Sequence, residues 1–261
     1  MKKILFTGAR SGIVKEVIDK LVNKKYYIYL TVHTEKQLEI VKRKYAKYSN
    51  VECFKLDITN KEDRNKLRNL DIDILFNNAA IGEGGSMAEI PMDKVRDNFE
   101  VNVFSTFEII QIVLEKMLQK DKGKIINMAS LAGIIPINFL GSYCASKASI
   151  IKMTTCLKNE LNILNSNVKI CLIEPGLYHT GFNQVMLNNK YEWMDIDSYF
   201  KYHLDYIKKK ENFLFNTFEK YKINSITKKI IKAIKCKNPK FIYKAPCMQA
   251  IGAKLYTLLL E

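Results

Sequence analysis

Apolar positions along this 261-residue chain follow two alternating patterns. Short runs of aliphatic and β-branched residues occur at 3–7, 27–32, 51–56, 72–76, 124–128, 168–173 and 240–243. Between them, at about 12–24, 35–48, 61–69, 92–120, 143–165 and 224–236, apolar residues recur three and four positions apart. The runs predict strands and the spaced stretches predict amphipathic helices. Runs such as Ile4-Leu5-Phe6 and Ile170-Cys171-Leu172-Ile173 are apolar at every position, as expected of parallel strands buried on both faces. Strand–helix alternation with right-handed crossovers predicts an α/β fold: a doubly wound, seven-stranded parallel sheet of the Rossmann-like kind, with helices on both faces. The length fits one domain over 1–261. Ligands of such sheets bind beyond the carboxyl ends of the strands, so the chemistry is expected just after each run.

Composition narrows the function classes. Hydrophobic residues make up 48% and charged residues 26%, near globular averages. The net charge of +15 would suit nucleic acid or an anionic surface. However, Arg occurs only at 10, 43, 64, 68 and 96, and the lysines are spread along the chain. Nucleic-acid surfaces draw on Arg for bidentate contacts, so nucleic acid is not the expected partner. The six cysteines form no C-x-x-C pair and suit a reduced, cytoplasmic setting. His33, His179 and His203 are too scattered for a metal site. No apolar run approaches the ~20 residues of a spanning helix, and the apolar part of the N-terminus is too short for a signal peptide. A membrane is therefore not an expected partner. The apolar stretch 245–260, with its single Lys, could lie on a membrane surface, but is expected instead to pack over a substrate pocket or against another subunit.

The first predicted strand ends in Thr7-Gly8-Ala9-Arg10-Ser11-Gly12-Ile13-Val14. Gly8 permits a sharp turn. Gly12 removes a side chain where backbone would approach a pyrophosphate at a helix N-terminus. Turning alone would also account for both glycines. Further on, Tyr143 and Lys147 lie four apart on one face of a predicted helix, and Ser130 follows a strand. Reducing a carbonyl requires a proton for the developing alkoxide. A phenol can supply it, and a nearby ammonium is expected to lower the phenol pKa from ~10. Ser130 could steady charge on the substrate oxygen.

TGARSG resembles the TGxxxGxG fingerprint of the short-chain dehydrogenase/reductase family, with Val14 where that family has its last Gly. Val14 is expected either to push the helix outward or to be absorbed locally. Asn77-Asn78-Ala79-Ala80 is similar to the family's NNAG beside the adenosine. Tyr143-Cys144-Ala145-Ser146-Lys147, with Ser130 and Asn102, resembles its catalytic tetrad. The resemblance implies Tyr143 as acid/base, Lys147 also on the nicotinamide ribose, and Asn102 holding a relay water. It implies an adenine contact from Asp57, followed by Ile58, although Asp57 could equally cap the next helix. Pro175, Gly176 and Thr180 are similar to the PGxxxT segment beside the nicotinamide, or Pro175 and Gly176 may be read as plain turn formers. Val32 stands where an acidic residue would bind the NAD ribose. Arg10 and His33 could instead face a 2′-phosphate, or simply water. The resemblance thus favours NADP(H) over NAD(H).

The tail and FEVNVFST are similar to the steroid/retinol branch of the family. In this family the segment after Pro175-Gly176 closes over the substrate. Its aromatic- and Met-rich residues 182–222 suggest an apolar pocket, and a subunit interface would look the same. The implied activity is interconversion of a hydrophobic alcohol with its ketone or aldehyde, by a homodimer or homotetramer. The alternative is a catalytically weak dinucleotide sensor or scaffold on the same fold.

Overall fold

The computed structural model describes residues 1–10, 12–194 and 198–260. Seven strands form one parallel sheet: β1 (Lys2–Phe6), β2 (Tyr26–Val32), β3 (Val51–Lys55), β4 (Ile74–Asn77), β5 (Lys124–Met128), β6 (Lys169–Pro175) and β7 (Ile242–Ala245). Their order is β3-β2-β1-β4-β5-β6-β7. The chain reverses direction across the sheet between β1 and β4, and a ligand crevice opens at such a switch point. Each strand lies within two residues of its predicted start.

Residue parity along the strands sorts the helices. Ile4 and Phe6 point to one side and Leu5 to the other. Ile74 and Phe76 oppose Leu75 in the same way, and Ile126 opposes Ile125. On the first side pack α1 (Gly12–Leu21), α2 (Glu35–Tyr45) and α9 (Asn224–Lys235), through side chains such as Val17, Val41 and Ile230. On the second pack α5 (Ser105–Gln119) and α6 (Gly141–Ile163), through Ile109, Val113 and Leu161. Val14 is fully buried in the first core. The larger residue is absorbed by packing rather than pushed into solvent.

Three segments take a form that the sequence pattern does not specify. The predicted helix at 92–120 is divided into α4 (Met92–Phe99), a π-helical turn (Glu100–Phe104) and α5. The segment 182–222 contains α7 (Phe182–Met194) and α8 (Leu204–Phe218), and the apolar tail forms α10 (Cys247–Leu260). A short helix, α3 (Lys61–Asn65), completes the set. Its N-cap is Asn60, whose side chain accepts from the Asp63 N–H. Asp57 is therefore not the helix cap: it stands in the turn before it, its Oδ1 accepting from Thr59 at 3.0 Å.

Candidate active site

At the switch point the backbone leaves β1 through Gly8, whose φ of +64° is left-handed and open to Gly at no steric cost. A Cβ there would stand 2.8 Å from the Ala79 Cα. Two side chains weld this turn to the end of β4. Thr7 Oγ1 accepts from the N–H groups of Asn78 (2.9 Å) and Ala79 (3.1 Å), and Asn78 Nδ2 donates to the carbonyls of Thr7 (3.2 Å) and Gly8 (2.9 Å). Gly12 follows at φ +69°, opening α1. A Cβ on it would approach Thr180 at 3.7 Å, so Thr180 faces the turn across the crevice. This cradle of small residues at a helix N-terminus fits a pyrophosphate. Arg10 is exposed beside it. Ser11, also expected here, lies outside the described residues.

Farther along the crevice, His33 lines the cavity, with its Nε2 3.3 Å from Asp57 Oδ2. Burial pushes the Asp57 carboxyl up, but the hydrogen bonds from Thr59 and the nearby His33 outweigh it and hold it below the usual carboxylate range. Neither Asp57 nor Ile58 lines the cavity, whereas Leu56 does. Ile58 is buried in the second core, because the chain turns its apolar side chain toward the sheet.

The catalytic group forms where β5 meets α6. Ser130 follows β5 and its Oγ accepts from the Ala132 N–H at 3.1 Å, capping a single 3-10 turn. A Cβ on Gly133, at the end of that turn, would lie 2.7 Å from the Lys147 carbonyl carbon. The Ser130 turn therefore rests directly on the α6 backbone. Tyr143 and Lys147 are both buried, and Lys147 Nζ lies 5.6 Å from the Tyr143 ring centroid and 3.3 Å from the Met128 carbonyl. Burial pushes the Tyr143 phenol well above its ordinary pKa, against a hydrogen bond from Ser130 that lowers it. Here desolvation outweighs the Ser130 hydrogen bond. Burial also pulls the Lys147 ammonium down to about 8.

Asn102 does not line the cavity. It sits in the π-helical turn with its side chain fully engaged. Oδ1 accepts from the Ile81 N–H at 2.9 Å, and Nδ2 donates to the Ile81 carbonyl and to Ser146 Oγ, each at 3.0 Å. The side chain therefore fixes the Ile81 backbone and Ser146 on α6. Asn98 repeats the arrangement four residues earlier. It brackets the backbone of Glu83 at 3.0 and 2.8 Å and donates to Ser142 Oγ at 2.6 Å. The two asparagines tie the strand-exit loop to Ser142 and Ser146, which flank Tyr143 and Lys147 on α6. Asn98 escaped the sequence reading, and only its four-residue offset from Asn102 hints at it.

The crevice, from the Gly8 turn past Tyr143 to the helices beyond it, is one continuous cavity of about 1390 Å³. Pro175 and Gly176 form its wall at the end of β6, and Phe182 packs on the Tyr143 ring at 5.7 Å between centroids. α7 and α8 close the far side through Met186, Ile207, Leu214 and Phe215. Inside this cap, Lys190 is wholly buried and paired with Glu211, which also takes a hydrogen bond from Tyr191 at 2.5 Å. Trp193 Nε1 donates to the Gly84 carbonyl at 3.4 Å, and a Cβ on Gly85 would fall 2.1 Å from the indole. Gln249, on α10, ties the cap to the wall: it accepts from the Leu177 N–H and donates to the Phe218 carbonyl, both at 2.7 Å. Among the described residues, no cluster of His, Cys, Asp and Glu could hold a metal, and no helix is long and apolar enough to cross a membrane.

Comparison with known proteins agrees with this geometry. The family model described as short chain dehydrogenase matches residues 2–190. The probable short-chain type dehydrogenase/reductase VdlC of Helicobacter pylori is 31% identical over 195 residues, covering 71% of this chain and 68% of that protein. The 3-ketodihydrosphingosine reductase of Bacteroides thetaiotaomicron is 29% identical over 262 residues, covering 96% and 90%. In fold, the chain superposes with a TM-score of 0.82 on a short-chain dehydrogenase/reductase from Burkholderia phymatum in complex with NAD, at 21% identity, covering 97% and 92%. With the parallel sheet, the glycine cradle and the Ser130–Tyr143–Lys147 cluster in place, the chain belongs to the short-chain dehydrogenase/reductase family of oxidoreductases.

Proposed function

We propose that this protein reduces the carbonyl of a hydrophobic substrate with NADPH, within a single domain whose residues 182–222 cover the substrate. The observation that carries the reading is geometric: Ser130, Tyr143 and Lys147 converge on one cavity at the carboxyl end of the sheet, with the glycine turn of β1 beside them. Tyr143 is the proton donor of this group. Ser130 hydrogen-bonds the phenol and orients a substrate oxygen at the same point. Lys147 holds positive charge at the base of the site and would hold the nicotinamide ribose hydroxyls of a bound cofactor. Asn102 and Asn98 act as positioning residues, through Ser146 and Ser142. A nicotinamide dinucleotide, seated on Gly8, Gly12, Ile13, Asn78 and Ala79, supplies the hydride when bound.

The NADPH preference rests on Arg10 at the cavity edge and on the absence of an acidic side chain at Val32. The preference for a hydrophobic substrate rests on the Phe182, Met186, Ile207, Leu214, Phe215 and Phe218 side chains that the cap presents to the cavity. A relative named for a keto derivative of a long-chain base favours a ketone attached to an extended hydrocarbon. Exposed Phe104, beside α5, and Met153, on α6, are apolar side chains that a second copy could cover.

Fluorescence titration with NADPH and NADH, followed by turnover of long-chain ketones, tests the reading. Tight NADPH binding with turnover is expected. Tyr143→Phe should lose turnover and keep cofactor binding, and Arg10→Ala should weaken NADPH more than NADH. Turnover by Tyr143→Phe at the parent rate would remove Tyr143 from the mechanism.

A further inference from the structure

Helix α10 inverts the usual rule for a surface helix. The side it turns to the fold is made of small or polar residues, with Ala253 buried and Gln249, Ala250 and Thr257 half-buried, while Met248, Ile251, Leu255, Leu258 and Leu259 face solvent. Met248 and Leu259 are 79% and 84% exposed. An apolar stripe left uncovered along a helix calls for a partner. The stripe is continuous with the cavity mouth, since Met248, Gly252 and Tyr256 line that cavity from the same helix. Across the mouth stands α8, with exposed Tyr206, Phe213, Leu214 and Phe218.

Charge selects the partner. The segment 201–222 carries Lys201, Lys208, Lys209, Lys210, Lys220 and Lys222 against three carboxylates. Of these, Glu211 is paired with Lys190 and Glu219 with His179. Lys254 flanks the stripe, and α10 has no acidic residue within its range. A second copy of a chain with net charge +15 would set like charge against like at this face. A surface of anionic lipid would meet the lysines with opposite charge, take up the aliphatic stripe, and seat Tyr206 and Tyr256 at headgroup depth.

We propose that α10 and the exposed side of α8 dock on an anionic lipid surface, with the cavity mouth turned toward the bilayer. Docking stands on these helices alone. The consequence that a hydrophobic carbonyl compound enters the cavity directly from the lipid rests on the function proposed above.

The test is co-sedimentation of the full chain with vesicles of phosphatidylcholine alone and of an equimolar mixture with phosphatidylglycerol. The protein should pellet with the anionic vesicles, far less with the neutral ones, and less as salt is raised. Leu255→Glu combined with Leu258→Glu should weaken that binding by about tenfold or more while leaving NADPH binding and the far-ultraviolet circular dichroism unchanged. Lys254→Glu should weaken it less. Absence of pelleting, or equal pelleting with both vesicle types, would overturn the proposal. So would a dimer in sedimentation velocity that the double Leu variant dissociates, because a second copy would then own the face. No turnover is read, so an error in the substrate assignment leaves this result intact.

Discussion

Lys147 illustrates how one buried side chain can serve function at a cost to stability. Its ammonium is buried and held at about 8, below the ~10.4 of an exposed lysine. The unfolded chain therefore binds more protons between these values, and stability rises with pH across that window. The penalty is fully present below pH 8 and fades as pH climbs through it toward the unfolded value. At neutral pH it amounts to about 3 kcal/mol. Lys147→Met should accordingly abolish turnover yet raise the urea midpoint at pH 7. The gap between variant and parent should narrow as pH approaches about 10. A gap that stays constant with pH would mean that Lys147 is not desolvated.

At the scale of elements, the seven strands were legible because central runs such as Ile4-Leu5-Phe6 and Ile170-Cys171-Leu172-Ile173 are continuously apolar, and Gly12 marks where α1 begins. Three features were not legible, and for one reason. The π-helical turn at 100–104 arises where Asn102 bonds the backbone of Ile81, twenty-one residues away, and local periodicity carries no trace of such a bond. The ladder made by Asn98 and Asn102 reaches forty-four residues to Ser142 and Ser146. Lys124 reaches farthest: from the first position of β5, its Nζ donates to the carbonyls of Ala233, Ile234 and Cys236 at 2.6–2.8 Å. In sequence it is merely the polar start of a strand, yet in the fold it closes the C-terminal end of α9, where a cation is favoured. Lys124→Met should strip three buried carbonyls of their donor and lower stability by about 2–3 kcal/mol. The loss should appear first as faster amide exchange in the last turn of α9. Unchanged exchange there would show that the cap is dispensable.

The whole molecule divides into a platform and a cover. The sheet, its two helix layers and the clustered Ser130, Tyr143 and Lys147 were largely readable from motifs placed after strands, because hydride chemistry requires them there. The cover was readable only as aromatic content, because α7 and α8 obey no strand–helix alternation and are held by a few specific contacts. Foremost among these is the buried Lys190–Glu211 pair. Glu211→Leu leaves the Lys190 ammonium buried without its anion and should destabilise by about 3–5 kcal/mol. Adding Lys190→Met should restore most of that stability, since an apolar pair of similar volume tolerates burial. Urea melts of the three proteins check this, and a single variant as stable as the parent would show that the cover is not latched there.

Trp193 is the chain's one tryptophan, and it sits in that cover with its indole against Gly84 and Gly85. The molecule therefore carries an intrinsic optical gauge of its own lid. Emission excited at the indole should shift to longer wavelength when the α7 segment lifts away, with no label attached. Recorded during mixing with a ketone, that single colour change would time the opening and closing of the cavity separately from the chemistry within it.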